Sequence, residues 1–500
     1  MAKDPYMETC FPLVRQWITE CNSQHHQTCP ASSGSLPTRL INVGEAGILE
    51  PRLELTSPGQ RGSYIWLSYP WGLANFPRTT RENFGNFIEG LPFDSLPKTF
   101  QDAIYLAQKL GIPYLYIDAL CFIQDSQEDW LHEAPRLPRY AAEATCTFAA
   151  ISSTDPTGGL FGKRSNVDTL LSLKILSPTD QASSNPNYIQ IRRQLKTPEQ
   201  SLPDFVLLRA WIVQEIILSK RVLFFHQDQL FWNCNLCLRS EGNAISQPPI
   251  LRLGIGTTAT LEFDIAQRNY LMPWYSLIEL FSRTRLTQIS DRLPAIAGIA
   301  RYVQDEFHIH YAAGIWHQDL VRGLLWKGQT KFSLKLPGQY IAPSWSWAAL
   351  TGPISYSFAR SVRSLSTRNN SQEDATPRDI KISDNSGLLD QYRQDHESYI
   401  ILSAMTRPLS SGNHLGNFEC FFDLLEYERA FLEGSKEYSC VIMAQHYLGI
   451  TETGSRWIGL LVEEGAVQAD PLAWTRVGLF VGPTLDRPLD KWVRRRIIIY

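Results

Sequence analysis

What the chain lacks narrows its class first. Its 500 residues contain no run of about 18 apolar residues, so no membrane-spanning helix is expected. The first thirty residues, beginning MAKDPYMETC, have no basic segment leading into an apolar one, so no secretory leader is expected either. An excess of charge of either sign is missing: 47 Lys and Arg face 50 Asp and Glu, a net charge of −3. That balance creates no global field for a polyanion, and nucleic acid is not an expected partner. Cysteine is sparse, nine residues scattered along the chain. An odd, dispersed set does not make a secreted disulfide framework, and reduced thiols are expected. Internal repeats are absent. Together these features predict a cytoplasmic, soluble protein.

Present instead are 44% apolar and 11% aromatic residues, enough to bury a large core over two or three domains. Phe11, Leu13, Val14, Trp17, Ile18 and Cys21 recur at helical spacing and predict an amphipathic helix ending near Asn22. TRLINVG (38–44) and PRLELTSPGQRGSYIWLSY (51–69) read as a hairpin followed by a core strand. LPKTFQDAIYLAQKL (96–110) places Phe100, Ala103, Ile104, Ala107 and Leu110 on one helix face, with Gly111 as its C-terminal cap and IPYLYIDAL as the next strand. Strand, helix, strand in this order predicts a parallel α/β sheet with the helix as crossover. Ligands of such sheets sit at the carboxyl ends of the strands, where Ser68–Gly72 and Asp118–Asp125 both fall. RAWIVQEIIL (209–218) reads as a helix, and RVLFFHQDQLFWNC (221–234) as a hairpin.

The expected organisation is an N-terminal collar (1–59), an α/β domain (60–235), a helical, Trp-rich region (236–360), a disordered Ser/Asn/Asp-rich insertion (361–397) and a β-rich C-terminal region (398–500). Trp345 and Trp347 of PSWSWA are expected on one face of an extended segment. Cys10, Cys21, His25 or His26, and Cys29 are of the zinc-binding kind, but their spacing fits no common zinc pattern and no second CxxC flanks them. Cys234-x-x-Cys237 is a lone CxxC and reads as core thiols. No metal is expected.

SYPWG (68–72), LPKTFQDAI (96–104), GIPYLYIDALCFIQD (111–125), EDW (128–130) with Glu133, GLFGKR (159–164) and RAWIVQE (209–215) together resemble the fungal heterokaryon incompatibility (HET) domain family. DRLPAIAGIA, GIWHQDLVRGLLW, APSWSWA and RVGLF resemble the companion region of many fungal members. The resemblance implies a role in self/non-self recognition or stress-triggered programmed cell death, with self-association or another death-pathway protein as partner. Service to a biosynthetic or detoxification gene cluster is the competing implication. Pro70 departs from the family's usual Cys, Ala119 from its frequent Ser, and Pro135 and Pro138 interrupt a helix that is usually continuous.

The HET core is also similar to TIR domains, some of which hydrolyse NAD. The likeness lies in LSY (67–69) and in the W-x-x-x-E of Trp211 to Glu215. It implies a TIR-like parallel-sheet fold, NAD as a substrate rather than a bound cofactor, and Glu215 as the catalytic carboxylate, since one carboxylate against a ribose can stabilise an oxocarbenium-like cation. The alternative for Glu215 is a solvated or ion-paired helix residue. Arg209, Trp211 and Gln214 are candidate ligand contacts on the same helix; Arg209 and Gln214 read equally as partners of a buried carboxylate. Asp118 ends a strand too apolar to carry a charge without a partner, which makes it paired, edge-exposed or functional. Ser68, Tyr69, Trp71, Gly72 and Gln124 complete the candidate ligand set. Trp71 either walls a crevice or plugs the core, and Asp125 or Ser126 either meets ligand or caps the helix carrying Trp130.

Overall fold

The computed structural model describes residues 5–30, 34–45, 50–161, 171–174, 188–191, 209–227, 229–241, 243–247, 271–362, 378–383, 399–409, 418–447, 455–465, 473–484 and 492–500. It divides into two compact units, Met1–Arg252 and Leu253–Tyr500.

In the first unit, α1 (Pro5–Gln24) precedes β1 (Arg39–Asn42), β2 (Arg52–Leu55) and β3 (Tyr64–Ser68). Then come α2 (Lys98–Leu110), β4 (Tyr114–Tyr116), α3 (Gln127–Glu133), α4 (Leu137–Glu143) and β5 (Cys146–Ala149). The last elements are α5 (Ala210–Leu218), β6 (Arg221–Phe225), β7 (Leu230–Cys234), β8 (Leu238–Ser240) and β9 (Asn243–Gln247). Among the described residues these strands form one sheet in the order β9-β8-β7-β6-β5-β3-β4-β1-β2. Its centre, β6-β5-β3-β4, is parallel. The expected parallel core is present, but antiparallel strands extend it on both sides, so the sheet is mixed. The spacing along the chain accounts for part of this: too few residues separate β1 from β2, and β6 from β7, for the crossover that a parallel step such as the one through α2 needs, so each pair runs antiparallel. β3, β5 and β6 are buried at every position, as strands covered on both faces must be.

Helix α2 buries Phe100, Ala103, Ile104 and Ala107 and stops where predicted: Gly111 is left-handed (φ 73°) and its N–H returns to the carbonyls of Ala107 and Gln108. Between α3 and α4 the chain narrows to a 3₁₀ turn, Ala134–Arg136, at Pro135. A proline inside a helix removes a hydrogen bond and clashes with the preceding turn, which accounts for the break. Helix α1 lies against the sheet, with Trp17 and Trp232 ring centroids 6.4 Å apart and Arg15 donating to the Lys109 carbonyl at 2.8 Å.

The second unit opens with α6 (Met272–Phe281) and α7 (Pro294–Phe307). Trp274, Trp316, Trp326, Trp345 and Trp347 are fully buried in it. Trp347 begins a 3₁₀ turn instead of continuing an extended segment, because the Ser346 side chain caps the Ala348 N–H. The strands are β10 (Arg378–Ser383), β11 (Tyr399–Leu409), β12 (Glu419–Phe422), β13 (Tyr438–Tyr447), β14 (Ser455–Glu464), β15 (Ala473–Thr484) and β16 (Val493–Ile499). Their order is β10-β11-β13-β14-β15-β12, and β16 pairs with both β11 and β15, so five strands close on themselves. The β-rich C-terminal region is therefore present. Of the insertion expected at 361–397, residues 363–377 and 384–397 lie outside the described residues, while Arg378–Ser383 is a strand paired with β11. Gly254-Ile-Gly256, which lacks the third glycine of a dinucleotide-binding fingerprint, also lies outside them.

Candidate functional site

Strand β3 has five buried residues and ends on Ser68, whose hydroxyl lies at its carboxyl end. Helix α5 packs across α4 and β3 through its apolar residues, which brings Glu215 to the same place. The Ser68 hydroxyl donates to Glu215 Oε2 at 2.5 Å. Glu215 is only 8% exposed. Burial pushes its carboxyl up to about 7, even though the Arg209 charge and the Ser68 hydrogen bond pull it down. A carboxyl poised near neutrality exchanges protons where most cellular chemistry runs.

Beside this pair stands a second carboxylate. Asp118 begins the short helical turn Asp118–Cys121 just past β4. Its Oδ1 accepts from the Tyr69 hydroxyl at 2.7 Å and the Ala119 N–H at 2.8 Å. Its Oδ2 accepts from Trp71 Nε1 at 2.9 Å and from both terminal nitrogens of Arg209 at 3.1 Å. Asp118 is thus paired, and it ties the ends of two strands to the residue that starts α5. The Tyr69 hydroxyl is held well above its ordinary range by burial and the adjoining carboxylate, so it remains a proton donor.

Trp71 is half-buried, with its ring edge-on to Phe76. The guanidinium carbons of Arg78 and Arg209 lie 4.8 and 4.9 Å from its centroid, so two cations share one indole. Gly72 is left-handed (φ 58°), and a Cβ there would stand 2.5 Å from Asp155 Cβ and 2.7 Å from the Thr154 carbonyl. Its bareness admits the turn at 154–155. Gln124 is exposed and donates to the Asp118 carbonyl at 3.0 Å, bracing that turn. Trp211 is a core residue of α5. Gln214 is buried, and among the described residues its Oε1 accepts no hydrogen bond. Ser126 caps α3 by accepting from the Asp129 N–H, while Asp125 accepts from the Arg81 N–H at 2.9 Å. Asp129 is engaged by Arg39, both oxygens at 2.7 Å. Cys121 is buried and its thiol is pushed up to about 12, which suits a core residue and not a nucleophile.

Residues 64–215 match the model of the heterokaryon incompatibility protein (HET) family. The chain carries a HET domain. No curated protein and no solved structure matches the chain. The limits of the HET domain fall on the site just described: residue 64 opens β3, and residue 215 is the glutamate bonded to Ser68. Its presence ties the chain to incompatibility-type function. No helix among the described residues is long and apolar enough to cross a membrane.

Sequence reading of the HET domain missed Arg78, which belongs to no quoted motif and reaches Trp71 only through the fold. It also missed Asp102, a buried carboxylate inside LPKTFQDAI that accepts from the Leu160 N–H at 2.9 Å and from Lys98. Asp102 joins α2 to the first part of the GLFGKR motif. Outside the HET match, the structure gathers Cys21, His25, Cys29 and Cys234, whose ligand atoms all lie within 4.8 Å of one another. No metal site was expected from their spacing.

Proposed function

We propose that the HET domain acts in a self/non-self or stress response leading to cell death, and that it does so by hydrolysing the nicotinamide glycosidic bond of NAD. The observation that carries this reading is the buried Ser68–Glu215 pair at the carboxyl end of the central strand, with the glutamate poised near neutrality. In the proposed step the bond between ribose C1′ and the nicotinamide nitrogen breaks, and its electron pair leaves with nicotinamide. The Glu215 carboxylate, held by Ser68, stabilises the cation that develops on the ribose. Water then adds to C1′ and releases a proton, giving ADP-ribose.

Other groups fit the same substrate. The unfilled Gln214 Oε1 suits a ribose hydroxyl, since a buried acceptor without a donor costs about 1–3 kcal/mol. Arg78 and Arg209 flank Trp71, and a pyrophosphate needs such cations. Expression of the full chain in a fungal host tests the reading. Glu215→Gln is expected to preserve the protein's elution on gel filtration and to abolish toxicity; an equally toxic variant would reject the chemistry.

A second reading treats the domain as a non-enzymatic homotypic signalling module. It draws on Asp118, whose two oxygens are taken up by Tyr69, Ala119, Trp71 and Arg209, a network that stiffens a face and leaves that carboxylate no bond for a substrate. On this reading toxicity follows assembly, and disruption of the Asp118 network removes both.

A further inference from the structure

Cys21 lies in the last turn of α1, and the chain keeps helical hydrogen bonding beyond it: the His25 N–H reaches the Cys21 carbonyl at 3.2 Å and the Cys29 N–H the His25 carbonyl at 2.7 Å. Spacing of four and four therefore puts Cys21, His25 and Cys29 at the end of α1. Cys234 arrives from the end of β7, 209 residues beyond His25. All four side chains are buried. His25 Nδ1 stands 3.5 Å from Cys234 Sγ. In a tetrahedral zinc site, with Zn–S about 2.3 Å and Zn–N about 2.0 Å, ligand sulfur and nitrogen stand roughly 3.5 Å apart.

The surroundings suit thiolates. Arg221 is fully buried, and its Nε donates to Cys21 Sγ at 3.2 Å while one terminal nitrogen donates to the Cys29 carbonyl at 2.7 Å. Three thiolates, one neutral imidazole and Zn²⁺ sum to one negative charge, which a buried guanidinium balances. Asn235 Nδ2 donates to the Thr28 carbonyl at 2.8 Å, and the Cys234 N–H to the Cys237 carbonyl at 2.9 Å, so both loops bearing ligands are held. Cys237 Sγ lies 3.8 Å from Cys234 Sγ, beside the quartet.

We propose that Cys21, His25, Cys29 and Cys234 form a structural zinc site that fastens the end of α1 to the end of β7. Four protein ligands close the coordination sphere, so the site carries stability and not catalysis. It lies outside the HET match and stands whether or not the domain hydrolyses NAD.

The full chain, expressed with zinc in the medium and desalted, is expected to hold one zinc per molecule by elemental mass spectrometry. X-ray absorption should show a sulfur-dominated shell with one nitrogen, and cobalt substitution should give the intense visible bands of a tetrahedral thiolate complex. Cys29→Ser and Cys234→Ser should each lose the metal, Cys237→Ser should retain it, and chelation should expose α1 to protease. Zinc below a tenth of an equivalent in the folded wild-type chain would overturn the proposal. So would a disulfide joining any two of the three cysteines in protein purified under reducing conditions, or full zinc retention in both loss variants. Because metal content and cobalt spectra are read on the wild-type chain, failure of a variant to fold does not protect the idea.

Discussion

Neutralising Glu215 changes the stability of the first unit in a way that only its burial predicts. An ordinary glutamate titrates near 4.5, whereas burial carries Glu215 to about 7. The folded chain then holds the proton more tightly than the unfolded chain, so stability falls as pH rises between these two values. Below pH 4.5 both forms are protonated and the group costs nothing; above pH 7 the full cost is present. At about 1.4 kcal/mol per tenfold change in proton affinity, the gap amounts to roughly 3 kcal/mol. Glu215→Gln removes the ionisation and keeps the shape. Its difference from wild type should therefore move by about 3 kcal/mol in favour of the variant between pH 4.5 and 8. For a unit of this size that corresponds to roughly 6–12 °C in melting temperature. The variant's amide oxygen still accepts from the Ser68 hydroxyl, and the stronger bond that this hydroxyl makes to the ionised carboxylate is already contained in the value of about 7. Differential scanning fluorimetry of both proteins across that range reads it directly. Two melting curves that stay parallel from pH 4.5 to 8 would refute the buried, proton-binding carboxyl.

Other perturbations reach other parts of the molecule. Asp118→Ala leaves Arg209 without its carboxylate and strands the Tyr69 and Trp71 donors, for a loss of about 3 kcal/mol in urea unfolding; a cost below 0.5 would mean that the network is incidental. In the second unit, Arg476 is buried against Asp423, its Nε 3.1 Å from the carboxylate, and donates to the Leu324 carbonyl at 2.7 Å. Arg476→Met should cost roughly 3–5 kcal/mol, and pairing it with Asp423→Leu should restore much of that. Gly72→Ala should cost about 2 kcal/mol or more by thermal melting, from the left-handed backbone and the clash with the 154–155 turn. Nicotinamide release should fall about tenfold per pH unit below pH 7 as Glu215 takes up its proton, and level off above.

What was legible in the sequence is what short-range pattern records. The crossover helix, its glycine cap, the core strand ending at Ser68 and the hairpin of β6 and β7 all show in runs of a dozen residues, because apolar period and turn residues act locally. Asp118 was legible as a problem, a charge ending an apolar strand, but its four donors come from three separate segments and only the fold assembles them. Arg78 left no trace, since a cation over an indole depends on where two loops cross. The mixed sheet was missed for a related reason: β1, β2 and β7–β9 read correctly as strands or passed unread, and nothing local states which neighbour a strand will choose. Spacing argued against a metal because three ligands follow helical periodicity and the fourth lies in a distant strand. Motif templates count residues along the chain, whereas coordination counts them in space.

Glu215 is the proposed working carboxylate of the HET domain. Nicotinamide release from NAD by the purified full chain at high concentration, with and without a crowding agent, tests it against Glu215→Gln and against Ser68→Ala, which loses the 2.5 Å hydrogen bond. Release is expected from the wild type, none from Glu215→Gln, and release with altered pH dependence from Ser68→Ala. Absence of release under every condition, or release undiminished in Glu215→Gln, would contradict the proposal.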